Sequence, residues 1–133
     1  MQLGPLEKAV LDHLFEREGA GVVAVHEAIG APRGVSRNTV HSALERLVRK
    51  RLAERRKRGR AYEYRAVASR REWITQSLAE VLAALPGTDA SCVVASFVDL
   101  VERAGPESLR ELEERVRERR LGEAARRRGD DTR

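Results

Sequence analysis

Between residues 36 and 67 the apolar residues change period once, and that single change allows few folds. Residues 36–50, SRNTVHSALERLVRK, carry Val40, Ala43, Leu44, Leu47 and Val48 at helical spacing, so one stripe of a helix is apolar and seeks burial. Ser36 stands where its hydroxyl can accept from the free N–H groups of the first turn. After Arg51 the helical period is lost. LAERRKR (52–58) and AYEYRAV (61–67) read as strands, the second alternating Tyr62, Tyr64 and Ala66 with Glu63, Arg65 and Val67. Arg58, Gly59 and Arg60 lie at the turn between them, where Gly59 supplies the positive φ that a tight hairpin uses. A two-stranded ribbon has no core of its own, so it and the helix before it must share one with further helices.

The preceding residues supply them. Leu6, Val10, Leu11, Leu14 and Phe15 recur at helical spacing behind Pro5, which predicts a first helix over 5–17. Gly19-Ala20-Gly21 breaks it, and VVAVHEAI (22–29) reads as a short second helix closed by Gly30, with APRGV as a loop. The order helix, helix, helix, ribbon is that of a winged helix-turn-helix domain, in which the third helix enters a major groove and the wing touches phosphate beside it.

Beyond the ribbon, Ser69 and Glu72 form a capping box opening a helix with Trp73, Ile74, Leu78, Val81, Leu82 and Leu85 on its apolar side, ended by Pro86 and Gly87. A further helix from Asp89 to Arg103 carries Val93, Val94, Phe97, Leu100 and Val101. A last one from Pro106 to about Arg120 carries Leu109, Leu112 and Val116. These helices are too apolar to stand singly, and packing against their copies in a second subunit would make a dimerisation domain. The expected architecture is mostly α with a small β-wing: a winged-helix domain over 1–68, a helical dimerisation domain over 69–121 and a disordered tail over 122–133.

Charge is distributed unevenly along the chain. The whole carries +5, yet residues 33–71 hold 14 basic side chains against 3 acidic ones, Glu45, Glu54 and Glu63. A segment of +11 implies a polyanionic partner; a membrane surface fits less well, because the basic residues lie partly on a hairpin and not on one amphipathic helix. Opposite the apolar stripe of the third helix lie Asn38, Ser42, Glu45 and Arg49, flanked by Thr39 and Arg46 on one edge and His41 on the other. Asn and Arg can bond purine edges in pairs, while Ser and Thr reach phosphate or a thymine methyl group. The candidate contacts to double-stranded DNA are therefore Ser36, Arg37, Asn38, Thr39, His41, Ser42, Arg46, Arg49 and Lys50, with Arg58 and Arg60 on the wing. Glu45 is expected to pair with Arg49 rather than to meet a base.

Other chemistry finds no support. His26-Glu27 begins like a zinc-protease motif but meets Gly30 where the second His belongs, and Gly19-Ala20-Gly21 follows a helix where a dinucleotide loop would follow a strand. His13 and His26 are read as structural. Cys92 is read as a buried small apolar residue, since a single cysteine cannot form an internal disulfide. No catalytic constellation or metal-ligand spacing is present, so neither enzyme activity nor a cofactor is expected. With no long apolar run in the chain and none in MQLGPLEK, the expected location is the cytoplasm, without membrane insertion.

The linked pattern TVHSALERLVRKRLAERRKRGRAYEYRA resembles the penicillinase-repressor (BlaI/MecI/CopY) family of bacterial transcription regulators through Thr39, Val40, Leu44, Arg46, Leu47, Lys50, Gly59, Arg60 and Tyr64. The resemblance runs from LEKAVLDHLF through the last helix. Ser42 replaces a frequent Thr, and Arg51 stands where Gly usually closes the recognition helix. The resemblance implies that Asn38, Thr39, Ser42 and Arg46 lie at DNA with Arg60 on the wing. It implies a repressor acting as a homodimer on an inverted repeat with TACA- and TGTA-like half-sites. It further implies an upstream signal such as a membrane protease sensor; the Asn-Phe bond cleaved in resistance-gene members is replaced here by Ser96-Phe97. Copper-responsive members carry a cysteine cluster that Cys92 alone does not supply. Two other readings fit the residues: an adaptor docking an acidic protein through the basic segment, and a repressor liganded directly by a small molecule.

Overall fold

The computed structural model describes residues 2–87 and 89–132. Helix α1 (Pro5–Phe15) buries Glu7, Val10, Leu11 and Leu14 along one face. Ala20–Gly21 forms a short strand, β1, and Val22–Val25 is helix α2. Gly30 does not end the helical path as expected. The path widens into a π turn over His26–Gly30 and tightens into a 3-10 turn over Ala31–Arg33. Pro32 sits in the first turn of that tightened stretch, where no N–H is required, so the chain turns only at Gly34, whose φ is 67°. His26 serves this corner, its Nε2 lying 2.9 Å from the Val35 carbonyl oxygen.

Helix α3 (Arg37–Arg49) begins as its sequence requires, with Thr39 N donating to Ser36 Oγ at 3.2 Å. It closes with both bonds of a Schellman motif: Arg51 N donates to Val48 O and Leu52 N to Leu47 O, each at 3.0 Å. The left-handed position of that motif is Arg51, at φ 61°, so the helix keeps its ending without the glycine that the motif favours. Arg51→Gly is expected to raise the unfolding free energy by about 0.5–1 kcal/mol, relief of the Cβ clash outweighing the freer unfolded chain. Urea denaturation checks this; unchanged or lower stability would remove the strain argument.

Strands β2 (Ala53–Arg58) and β3 (Ala61–Ala66) pair antiparallel from Ala53↔Ala66 to Arg58↔Ala61, leaving Gly59-Arg60 as a two-residue loop with positive φ at Gly59. The wing is more than the expected ribbon. β1 joins its other side, Ala20 opposite Tyr64 and Gly21 opposite Glu63, so the sheet runs β1-β3-β2 with β3 central. Tyr64 is fully buried among Val10, Leu11, Leu14, Val25, Val40, Ala43, Leu44 and Leu47, which make the core.

Helix α4 (Arg70–Ala84) opens on the expected capping box, Glu72 N donating to Ser69 Oγ at 3.1 Å and Ser69 N to Glu72 Oε2 at 2.8 Å. Its first turn is fastened to α1. Arg70 pairs with Asp12 at 2.8 Å and Glu16 at 3.3 Å and lies over the Phe15 ring, while Trp73 meets Phe15 with ring centroids 5.7 Å apart. The chain divides into two compact units, Met1–Ala84 and Leu85–Arg133, and α4 lies within the first. Trp73 is partly buried against the core of the first unit.

The second unit contains α5 (Ala90–Arg103) and α6 (Pro106–Asp130). Asp89 caps α5, its carboxylate accepting from Cys92 N at 2.7 Å, and Cys92 is exposed rather than buried, because neither helix of this unit buries any residue among those described. The last helix does not stop near Arg120. Ala124, Ala125 and Arg126–Arg128 are strong helix formers and carry it to Asp130 through Gly122, whose cost in a helix is only about 1 kcal/mol. Most of the expected tail is thus helical; Arg133 lies outside the described residues.

Candidate nucleic-acid interface

Helix α3 buries Val40, Ala43, Leu44 and Leu47 and leaves Arg37, Asn38, Thr39, His41, Ser42 and Arg49 exposed, which is the division its spacing demands. Ser36 is exposed too, but its hydroxyl is committed to the helix start and lies 3.0 Å from Thr39 Oγ1, so these two side chains hold each other in place. Asn38 and Ser42, one turn apart, form the open polar centre of the face.

Two residues expected on this face are engaged elsewhere. Arg46 Nε donates to Glu7 Oε1 at 3.2 Å and Lys50 Nζ donates to Glu7 Oε2 at 2.6 Å, so one carboxylate of α1 takes both cations. Lys50 also reaches the Gln2 carbonyl oxygen at 3.2 Å. The bond from Lys50 holds the Glu7 carboxyl below its ordinary pKa against the opposing effect of burial, and Arg46 adds to the lowering. Sequence alone does not point to this cluster, because Glu7 reads as an ordinary first-turn acid.

Glu45 does not pair with Arg49. Tyr64 Oη donates to Glu45 Oε1 at 2.6 Å, Arg55 Nη1 donates to the same carboxylate at 2.6 and 2.5 Å, and His41 Nε2 lies 3.7 Å away. The bond from Tyr64, then those from Arg55, lower the Glu45 pKa, while burial and the same bond push the Tyr64 phenol up to about 12. Arg55 continues over the Tyr62 ring at 4.9 Å. Glu45 thereby straps the wing to α3. A strand residue that falls opposite Tyr64 in the register outcompetes a helical neighbour one turn away.

The wing follows the same logic. Arg58 Nη1 donates to Glu63 Oε2 at 2.7 Å although its side chain is 80% exposed, and Arg65 pairs with Glu54. All three acids of the basic segment are therefore tied to an arginine. Among the described residues Arg33, Arg37, Arg49, Arg51, Arg56, Lys57, Arg60 and Arg71 make no ion pair, so positive charge remains concentrated on the open face of α3 and on the wing. Such a surface suits a duplex, short hydrogen-bonding groups for base edges standing beside cations for phosphate. No group of three potential metal ligands occurs among the described residues, and none of their helices is long and apolar enough to cross a membrane.

The penicillinase repressor family matches residues 3–118. The chain is 35% identical over 122 residues to the transcriptional regulator BlaI of Mycobacterium tuberculosis, covering 91% of this chain and 87% of the relative. Among solved structures it is similar to the homodimeric winged helix-turn-helix DNA-binding domain Mb0332 of Mycobacterium bovis, with TM-score 0.44 and 24% identity over 56% of this chain and 68% of that one. It is also similar to H. salinarum RosR, with TM-score 0.48 and 22% identity over 77% and 94%.

Proposed function

Because the chain belongs to the penicillinase repressor family, and its curated relatives are transcriptional regulators, we propose that it represses transcription by occupying an inverted-repeat operator as a homodimer. The observation that carries this reading is the sorting of charge on the first unit: Glu7, Glu45, Glu54 and Glu63 each pair with an arginine, and unpaired exposed cations, Arg37 and Arg49 among them, flank Asn38, Thr39, His41 and Ser42 on α3. In this reading α3 lies in the major groove, Asn38, Ser42 and Arg49 meet base edges, Arg37 and Thr39 meet phosphate at the helix start, and Arg58 and Arg60 on the wing follow the adjacent backbone. The dimer is formed by Val93, Phe97, Leu100 and Val101 of α5 with Leu109, Leu112 and Val116 of α6; within the first unit, Ile74, Leu78, Val81 and Leu82 of α4 are assigned separately to contact between subunits. The support is their spacing and the exposure of most of them in the single chain, 59% for Leu100 and 42% for Phe97. Release follows an upstream signal, such as cleavage by a membrane protease sensor.

A gel-shift titration against the chain's own promoter and a random duplex, repeated across salt concentrations, tests the reading. Salt-sensitive binding with preference for the promoter is expected. Absence of binding to any duplex would transfer the basic surface to an acidic protein partner. Arg60→Gln should weaken both duplexes alike and reduce the slope of log affinity against log salt by about 0.9, the share of one phosphate contact. An effect confined to one base position would contradict its assignment to the backbone.

A further inference from the structure

Glu7 stands apart from the other acids near the basic surface. Glu54 and Glu63 each take one exposed arginine, and a phosphate can displace such a partner cheaply because the freed carboxylate returns to water. Glu7 takes two cations and is only 7% exposed. Releasing Arg46 or Lys50 to a phosphate would leave part of a buried carboxylate unpaired, a far costlier exchange. Arg46 of α3 and Lys50, which caps the end of that helix, are one turn apart at the edge of the proposed groove-facing surface, where long flexible cations would reach any duplex whatever its sequence.

We propose that Glu7 is a positioning residue that acts through Arg46 and Lys50, withholding both cations from DNA phosphate and so setting the sequence-independent part of DNA affinity. This rests on the DNA-binding reading given above. Phosphate contacts raise affinity for every duplex equally, so cancelling two of them lowers binding to operator and bulk DNA by the same factor and leaves their ratio to the contacts of Asn38, Ser42 and Arg49. What falls is the strength and the salt dependence of binding to any duplex. A residue of α1 that touches no DNA thus tunes how tightly α3 holds DNA of any sequence.

The test is Glu7→Gln in the full chain, with fluorescence anisotropy on a random-sequence duplex across a salt series and a thermal melt of the free protein. The variant is expected to bind the random duplex more tightly and to steepen the log–log salt slope by about one to two, at about 0.9 per released cation. An unchanged slope in a folded variant overturns the proposal and leaves Glu7 a purely structural tie between α1 and α3. If the melt shows that Glu7→Gln does not fold, Lys50→Gln and Arg37→Gln decide. Loss of the unpaired Arg37, placed at phosphate, should flatten the slope by about 0.9 and loss of Lys50 should leave it unchanged, and equal flattening overturns the proposal. Wild-type protein without salt-sensitive binding to any duplex defeats the DNA-binding reading itself, a result separate from either variant's.

Discussion

Tyr64→Ala is expected to lower the unfolding free energy of the first unit by about 3–5 kcal/mol, enough to unfold much of a marginal domain. Among the described residues Tyr64 is the largest fully buried side chain, it sits on the central strand, and its hydroxyl ends on Glu45 of α3. Truncation removes the ring from the core and the donor from the strap together. Tyr64→Phe separates the two effects: it keeps the packing and costs about 1–2 kcal/mol for the missing hydrogen bond.

The pH dependence supplies an independent signature. The folded phenol titrates at about 12, above the ordinary value of 10. The unfolded phenol therefore ionises first as pH rises, and the stability that Tyr64 contributes is full below pH 10 and lost between 10 and about 12. For Glu45 the sign is opposite. Its folded pKa is lowered, so its contribution is present above the unfolded carboxylate value and lost as pH falls through the folded one. Urea denaturation of wild type and Tyr64→Phe at neutral and alkaline pH checks this. An alkaline loss as large in the variant as in wild type would show that Tyr64 is not its source.

What could be read from the chain in advance was local. The Ser36 cap, the turn at Gly59 and the capping box at Ser69 each depend on groups within a few residues, and each stands where its spacing puts it. Long-range pairing was not legible. β1 is two residues long, too short to show a period, and Ala20-Gly21 has no preference for strands; it exists because β3 has an open edge beside it. The same holds for the ion pairs that organise the candidate interface. Glu7 and Lys50 are 43 residues apart, and Glu45 has a plausible helical partner in Arg49 that the wing displaces with Arg55. The polar face of α3 was therefore visible as a face, but the division of its cations into free and restrained ones required the packing of α1 and β2 against it.

In the second unit the apolar residues were legible and their burial within one chain was not, which leads to the second large effect. Phe97→Asp is expected to dissociate the proposed homodimer and, with it, most of the operator affinity. Phe97 lies at the middle of the α5 stripe and lines a groove with Leu100 and Val101 of α5 and Leu112 of α6. A two-fold interface uses each residue twice, so burial worth about 1.5–3 kcal/mol per Phe becomes about 3–6 kcal/mol per dimer, or about 10²–10⁴ in the dissociation constant. The introduced carboxylates add desolvation and mutual repulsion in the same direction. Because no residue of α5 or α6 is buried in the single chain, among those described, the Phe97→Asp monomer loses little internal packing, and the first unit should melt as it does in wild type. Sedimentation equilibrium should then show monomer at concentrations where wild type is dimeric. Promoter affinity should fall steeply while weak, salt-sensitive binding of a single winged unit to random duplex persists, since two linked half-site contacts become one. A variant that remains dimeric would place the interface outside the α5 stripe.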